Sequence, residues 1–223
     1  ALHFANKVYG IACLDITSGR FVLQQVSSID ELLSEVERLN PAELLFNEDW
    51  ALPAALKERK GLTRRPPWHF EQSSAETLIL KQFKIQDLKG FGCEQLSAAI
   101  SAAGCLLQYV KDTQRAALPH IRSIQLESNA DCVLLDAATR RNLELTQNLS
   151  GGLEHTLASV LDNTTTAMGS RTLQRWLHRP LTDVSILKQR QSSIAELQLA
   201  DYTELQSCLK QVGDLERVLA RLA

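Results

Sequence analysis

The feature that most constrains this sequence is a change of hydrophobic period near Asp136. Upstream, short apolar runs of strand character alternate with stripes of helical period; downstream only the helical stripes remain. Such a pattern predicts two domains: an α/β layer domain over residues 1–120, with a mixed sheet and helices, and an all-α array over residues 136–223. An extended crossing over 121–135 joins them, and 223 residues suffice for both.

Within the first part, residues 8–16 are apolar on both faces, as a central strand requires. Thr17–Arg20 make a turn in which Gly19 can take a positive φ, and residues 21–26 return. Ser28 and Glu31 read as a capping box ahead of the stripe Ile29, Leu32, Leu33 and Val36, which Asn40-Pro41 stops. A short buried strand (42–47), a small helix closed by Gly61, and an extended run in which Pro66 and Pro67 forbid helix come next. Residues 73–84 are helical. The stretch 93–112 carries Leu96, Ala99, Ile100, Ala103, Leu107 and Val110 on one stripe. Its other face is small (Ala98, Ala102, Cys105), which predicts close approach on two sides. In the second part Asp136 caps a helix that should run to Gly151-Gly152. Thr182 caps another, striped by Val184, Leu187, Ile194 and Leu197. The last helix carries Val212, Leu215, Val218 and Leu219 and ends without a cap, so the array reads as truncated and the chain as a piece of a longer protein.

The chemistry implied by the residues is sparse. A phosphate-cradling P-loop needs Gly-Lys, which does not occur, and Gly90-Phe91-Gly92 lacks the third glycine of a dinucleotide loop. No two of the five histidines stand at i, i+4, and the five cysteines are scattered without a C-x-x-C, which argues against a zinc site and for reduced thiols. No catalytic, cofactor or metal residues are therefore expected. One alternative stands beside this: Asp15 on the first central strand, with Glu48 and Asp49, could serve a metal-dependent nuclease of ribonuclease-H-like fold, although the long helix supplies no interior acid to complete a two-metal cluster.

Net charge is -2, split evenly between the two parts, so no global basic field advertises nucleic acid. The loop with Lys57, Arg59, Lys60, Arg64 and Arg65 beside Trp68 is countered by Glu58 and Glu71 and reads as solvated, with a DNA or protein contact as the alternative. Arg140 and Arg141, flanked by Asp136 and Glu144, could grip a phosphate or form helical i, i+4 ion pairs; the expected role is to hold the interdomain junction. No signal peptide or membrane-length apolar run is present, which predicts a cytoplasmic protein with no membrane partner.

Four blocks carry a family resemblance: "LDAATRRNLEL", "TLASVLDNTTTAMGSRTLQRWLHRPL", "ILKQRQSSIAEL" and "VGDLERVLARL". Together they resemble the core (lever) domain of the MutS family of mismatch-recognition ATPases. Residues 1–120, through "GIACLDITSGRF", "NPAELLF", "LKGFG" and "AAGCLLQYVKDTQ", resemble the connector domain of the same family. The resemblance implies a ribonuclease-H-like connector followed by a helical lever. It implies a parent that recognises mismatched double-stranded DNA, self-associates, and binds ATP and Mg, all through domains outside these residues. It also implies that this part couples DNA binding to ATP hydrolysis and is no enzyme itself. The family connector docks MutL, for which the exposed side of helix 73–84 (Glu76, Lys81, Lys84) is the candidate surface, and such a protein would associate with the bacterial nucleoid during repair. The family's mismatch-wedging Phe-x-Glu has a counterpart by letters in Phe46-Asn47-Glu48, but at the end of a buried strand, where it cannot wedge DNA.

Overall fold

The structure, a computed structural model, describes residues 1–114 and 118–222. The chain divides into a first unit of Ala1–Glu127 together with the residues from Leu219 on, and a second unit of Ser128–Val218.

The first unit is a six-stranded mixed sheet. Strands β1 (Leu2–Ala5), β2 (Val8–Asp15) and β3 (Arg20–Val26) form an antiparallel meander. Helix α1 (Ile29–Leu39) leads to β4 (Leu44–Asn47), which joins β1 in parallel. Helix α2 (Ala54–Lys57) leads to β5 (Leu62–Arg65), parallel to β4. Helices α3 (Gln72–Phe83) and α4 (Ser97–Gln114) precede β6 (Ile124–Leu126), parallel to β3, and the strand order is β5-β4-β1-β2-β3-β6. Two of these strands differ from the sequence-based expectation. β1 is joined to β2 by Asn6 and Lys7, both at positive φ, and without a glycine this tight turn carries a weak signal. β6 lies within the stretch expected only to cross between domains.

Successive residues of each strand serve opposite faces. Ala12, Phe21, Leu23 and Leu45 belong to one core with Ile79, Ile100 and Leu107, while Leu2, Ile11, Val26, Leu44 and Phe46 belong to the other with Leu32 and Val36. The small residues of α4 do what their spacing predicts. A Cβ on Gly104 would stand 2.2 Å from the Cβ of Ala75 in α3, and one on Gly10 of β2 would stand 2.1 Å from the carbonyl of Ala98. Helix α4 is thus clamped between the sheet and α3 at distances only glycine permits.

Local signals hold with small corrections. Ser28 accepts the Glu31 amide, but Glu31 returns to the Ser27 amide, one residue ahead of a true reciprocal box. Pro66 and Pro67 do not forbid helix: Pro67 opens a 3-10 turn over Pro67–Phe70, because a first-turn position has no intrahelical N–H bond to lose.

The second unit contains α5 (Ala137–Asn142), α6 (Leu157–Leu161), α7 (Ala167–His178), α8 (Val184–Leu199), α9 (Thr203–Lys210) and the start of α10 (Leu215–Leu222). Asp136 caps α5 through the Thr139 amide, yet the helix ends at Asn142, well short of Gly151, where Glu144 adopts a positive φ. The cap of α8 is Asp183, not Thr182. Its short carboxylate reaches two free amides, which Thr182, one residue further out, cannot do. Helices α7, α8 and α9 bury no residue fully; Ile194 is 56% and Leu199 91% exposed.

Candidate functional site

Asp15 sits at the end of β2, where its carboxylate accepts the Thr17 amide (2.9 Å) and the hydroxyls of Thr17 and Ser18 (2.7 Å each). Partial burial opposes its charge, but the bonds from Thr17 and Ser18 outweigh that and hold the carboxyl below its ordinary value. It is an acid committed to shaping a hairpin turn. Asn47 takes the Asp49 amide in a similar local turn beyond β4. Among the described residues no group of three or more His, Cys, Asp or Glu is placed to hold a metal.

Arg140 and Arg141, adjacent in sequence, part company in the fold. Arg140 is buried on α5; its Nε donates to the Leu135 carbonyl at 3.0 Å and a terminal N–H to the His178 carbonyl at 2.7 Å, with the His178 ring 3.4 Å away. Thr146 meets the other ring nitrogen of His178 at 3.0 Å. These bonds tie the start and end of α5 to the last turn of α7, where exposed carbonyls of a helix terminus call for a cation. Asp136 serves chiefly as a cap, and the Thr139 bonds lower its pKa more than the Arg140 charge does. Arg141 is exposed. The Glu144 carboxylate accepts the Leu149 amide at 2.7 Å and so closes the loop after α5. The four junction candidates thus act as cap, brace, exposed cation and loop closure.

A buried ionic chain has no local signature in the sequence. Arg38 of α1 donates to Glu35 and to Glu127, both at 2.7 Å, and Glu127 also accepts Arg20 of β3 at 2.6 Å. The side chains of Arg38 and Glu35 are 8% and 4% exposed. Arg20 further holds Gln125 at 2.7 Å. Glu35 and Arg38 are visible as an i, i+3 pair on α1, but their partner lies 89 residues on, and no local pattern announces it.

Of the basic loop, Lys57, Lys60 and Arg64 are exposed, and two arginines are engaged in structure. Arg59 bonds Asn40 at 2.6 Å, and Arg65 meets His69 at 2.8 Å and lies over the Tyr109 ring. Trp68, by contrast, is 68% exposed. It borders a groove of about 600 Å³ between α3 and α4, lined also by Ser73, Ser74, Thr77, Lys81 and Gln108. Of the candidate docking residues, Lys81 lines this groove, and Lys84 is exposed at the left-handed C-cap of α3. Glu76 is half-buried on the flank of α3 toward Cys93, whose thiol is raised first by burial and then by the Glu94 and Glu76 charges. The three therefore form no single patch.

Five aspartates of the helical unit, Asp136, Asp162, Asp183, Asp201 and Asp214, have pKa values lowered by the hydrogen bonds they accept. A folded-state pKa below the unfolded value stabilises at neutral pH, and the contribution disappears as pH falls through the folded value. Circular dichroism at 222 nm should therefore show helix loss beginning below the ordinary aspartate value of 3.8. Unchanged ellipticity well below that pH would refute the stabilising role of these hydrogen bonds.

A mixed sheet covered by helices, followed by a series of capped helices, defines an α/β layer unit continued by a helical one. Comparison with family models places both in a mismatch repair protein: MutS domain II matches residues 1–122 and MutS domain III matches residues 138–223. The chain belongs to the MutS family, of which it represents the connector and core domains. Among the described residues no helix is long and apolar enough to cross a membrane.

Proposed function

We propose that this part of a MutS protein transmits between mismatch recognition and ATP hydrolysis, both carried by other domains of the parent, and that its first unit docks MutL. The parent would bind ATP and Mg, self-associate and engage mismatched double-stranded DNA, in the cytoplasm at the nucleoid. The observation that carries the reading is the joint match to MutS domains II and III on a chain whose conspicuous polar residues serve as structural ties. Ties of fixed geometry suit transmission, since coupling needs elements that move as units. The proposed MutL surface is the exposed side of α3 with Lys81 and Lys84, beside exposed Trp68; an exposed aromatic with flanking cations fits a protein partner.

Two arms test this in the full-length parent. Lys81→Glu with Lys84→Glu should weaken MutL recruitment about tenfold, a loss of about 1.4 kcal/mol, and leave mismatch affinity unchanged. Recruitment equal to wild type rejects the docking surface. Arg140→Lys keeps the charge but not the two-pronged reach to Leu135 and His178. It should slow ATP-triggered release of mismatched DNA several-fold at unchanged mismatch affinity, and unaltered release rejects Arg140 as a transmitting brace.

A further inference from the structure

The sheet ends on one side at β5, which pairs with β4 and with no other strand among the described residues. The ladder defines its outer edge. The Leu44 amide donates to the Gly61 carbonyl at 2.7 Å and the Glu48 amide to the Arg65 carbonyl at 3.0 Å, so Gly61, Thr63 and Arg65 turn their backbone groups toward β4. Leu62 and Arg64, the residues between, turn theirs outward. The two N–H and two C=O groups of that pair meet no partner among the described residues. The row stops at Pro66, which has no N–H and whose carbonyl already accepts the His69 amide at 3.1 Å. Such a row is a template for one more strand.

Charge selects the strand this edge accepts. Arg64 is exposed, as are Lys57 and Lys60 just ahead of β5, and none of the three has an ion-pair partner among the described residues. The neighbouring arginines differ, since Arg59 reaches Asn40 and Glu37 and Arg65 reaches His69 and Asp112. Glu58 is the one acid between residues 57 and 65. Like charges directly opposite one another destabilise a strand pair, so Arg64 disfavours a cationic strand, a second copy of this edge included, and favours a carboxylate. Leu62, on the same face as Arg64, is half-buried against the core of Leu32 and Val36 and offers an apolar neighbour. An antiparallel strand satisfies all four free groups with two residues, each exchanging both its bonds with one partner; a parallel strand needs a longer stretch to do so. Running antiparallel, the added segment meets Arg64 first and Leu62 two residues later, and continues toward Lys60 and Lys57.

We infer that the β5 edge docks an extended acidic segment of a partner protein, which adds a strand antiparallel to β5 with a carboxylate opposite Arg64 and an aliphatic side chain opposite Leu62. The site is separate from the α3 surface proposed for MutL and does not rest on it. The test uses the full-length parent and a short fluorescent peptide in which glutamate and valine alternate with threonine. Anisotropy follows binding, and amide exchange is measured at Leu62 and Arg64. Binding should saturate and slow exchange of both amides about tenfold. Methylating the peptide's glutamate and valine nitrogens removes its donors but keeps its charge, and should weaken binding about tenfold. Arg64→Glu, at an exposed position that leaves the fold intact, should weaken it about fivefold, as should lysine in place of the peptide's glutamates. Absence of saturable binding overturns the proposal. Equal binding of the methylated peptide, or binding that leaves exchange at Leu62 and Arg64 unchanged, means attraction without a strand and overturns it too. An Arg64→Glu variant or a lysine peptide that binds as well as the original removes the selection by charge and has the same consequence. Leu62 and Arg64 amides already protected in the peptide-free parent would assign the edge to another part of the parent or to a second copy, and the proposal falls.

Discussion

Arg38→Met should lower the unfolding free energy of the first unit by about 3–5 kcal/mol, among the largest effects any single substitution in this chain can have. The side chain is 8% exposed and stands between Glu35 and Glu127. Removing it leaves Glu35 buried without the cation it faces and Glu127 with Arg20. The cost arises from the stranded carboxylates more than from the lost bonds, and a second variant separates the two. Glu35→Leu with Arg38→Met removes the stranded charge and should recover most of the stability, since an apolar pair of similar volume replaces a buried ion pair at little or no cost. Urea unfolding followed by the fluorescence of Trp50 and Trp68, in a Trp176→Phe background, reads the first unit. A double variant as unstable as Arg38→Met would show that the buried charge is not the cause.

Arg140→Ala should cost the helical unit about 3 kcal/mol, whereas Arg141→Ala should cost less than about 0.5 kcal/mol. The two side chains are identical and adjacent, so propensity and composition cancel in the comparison. What differs is burial: Arg140 satisfies the Leu135 and His178 carbonyls in a sheltered position, and each bond from a charged donor there is worth about 1.5–3 kcal/mol. Arg141 stands in solvent. Urea unfolding monitored by Trp176 fluorescence, in a background with Trp50 and Trp68 replaced by Phe, measures both. Equal costs for the two variants would mean that Arg140 is not the brace its contacts describe.

Much of the candidate site was legible in part. The arginine doublet and the capping role of Asp136 are both readable from local spacing. Which arginine matters was not legible, because α5 stops at Asn142 and the turn that follows decides which side chain meets α7. The acid Asp15 looked available for metal chemistry because the sequence shows the charge but not the Thr17 and Ser18 donors folded back onto it. Glu76, Lys81 and Lys84 share one helix, yet neighbouring α4 and Cys93 separate their surroundings.

By itself the sequence determined most of the elements and their kinds: the change of period near Asp136, the central strands with a residue for each face, the small-residue helix and the caps at Ser28 and Asp136. These depend on interactions within a few residues, where spacing and side-chain chemistry suffice. Only the tertiary structure decided what is joined across distance. The edge strand β6 became part of the sheet by pairing with β3, about a hundred residues earlier in the chain. Glu127 closed an ionic chain begun on α1, and Gly104 met Ala75 at a separation no larger residue allows. The stripe of α8 shows the same division: Val184, Ile194 and Leu197 recur at helical spacing, yet they stand 59%, 56% and 48% exposed. Periodicity specifies which face of a helix is apolar; what covers that face depends on a partner surface that local spacing does not encode.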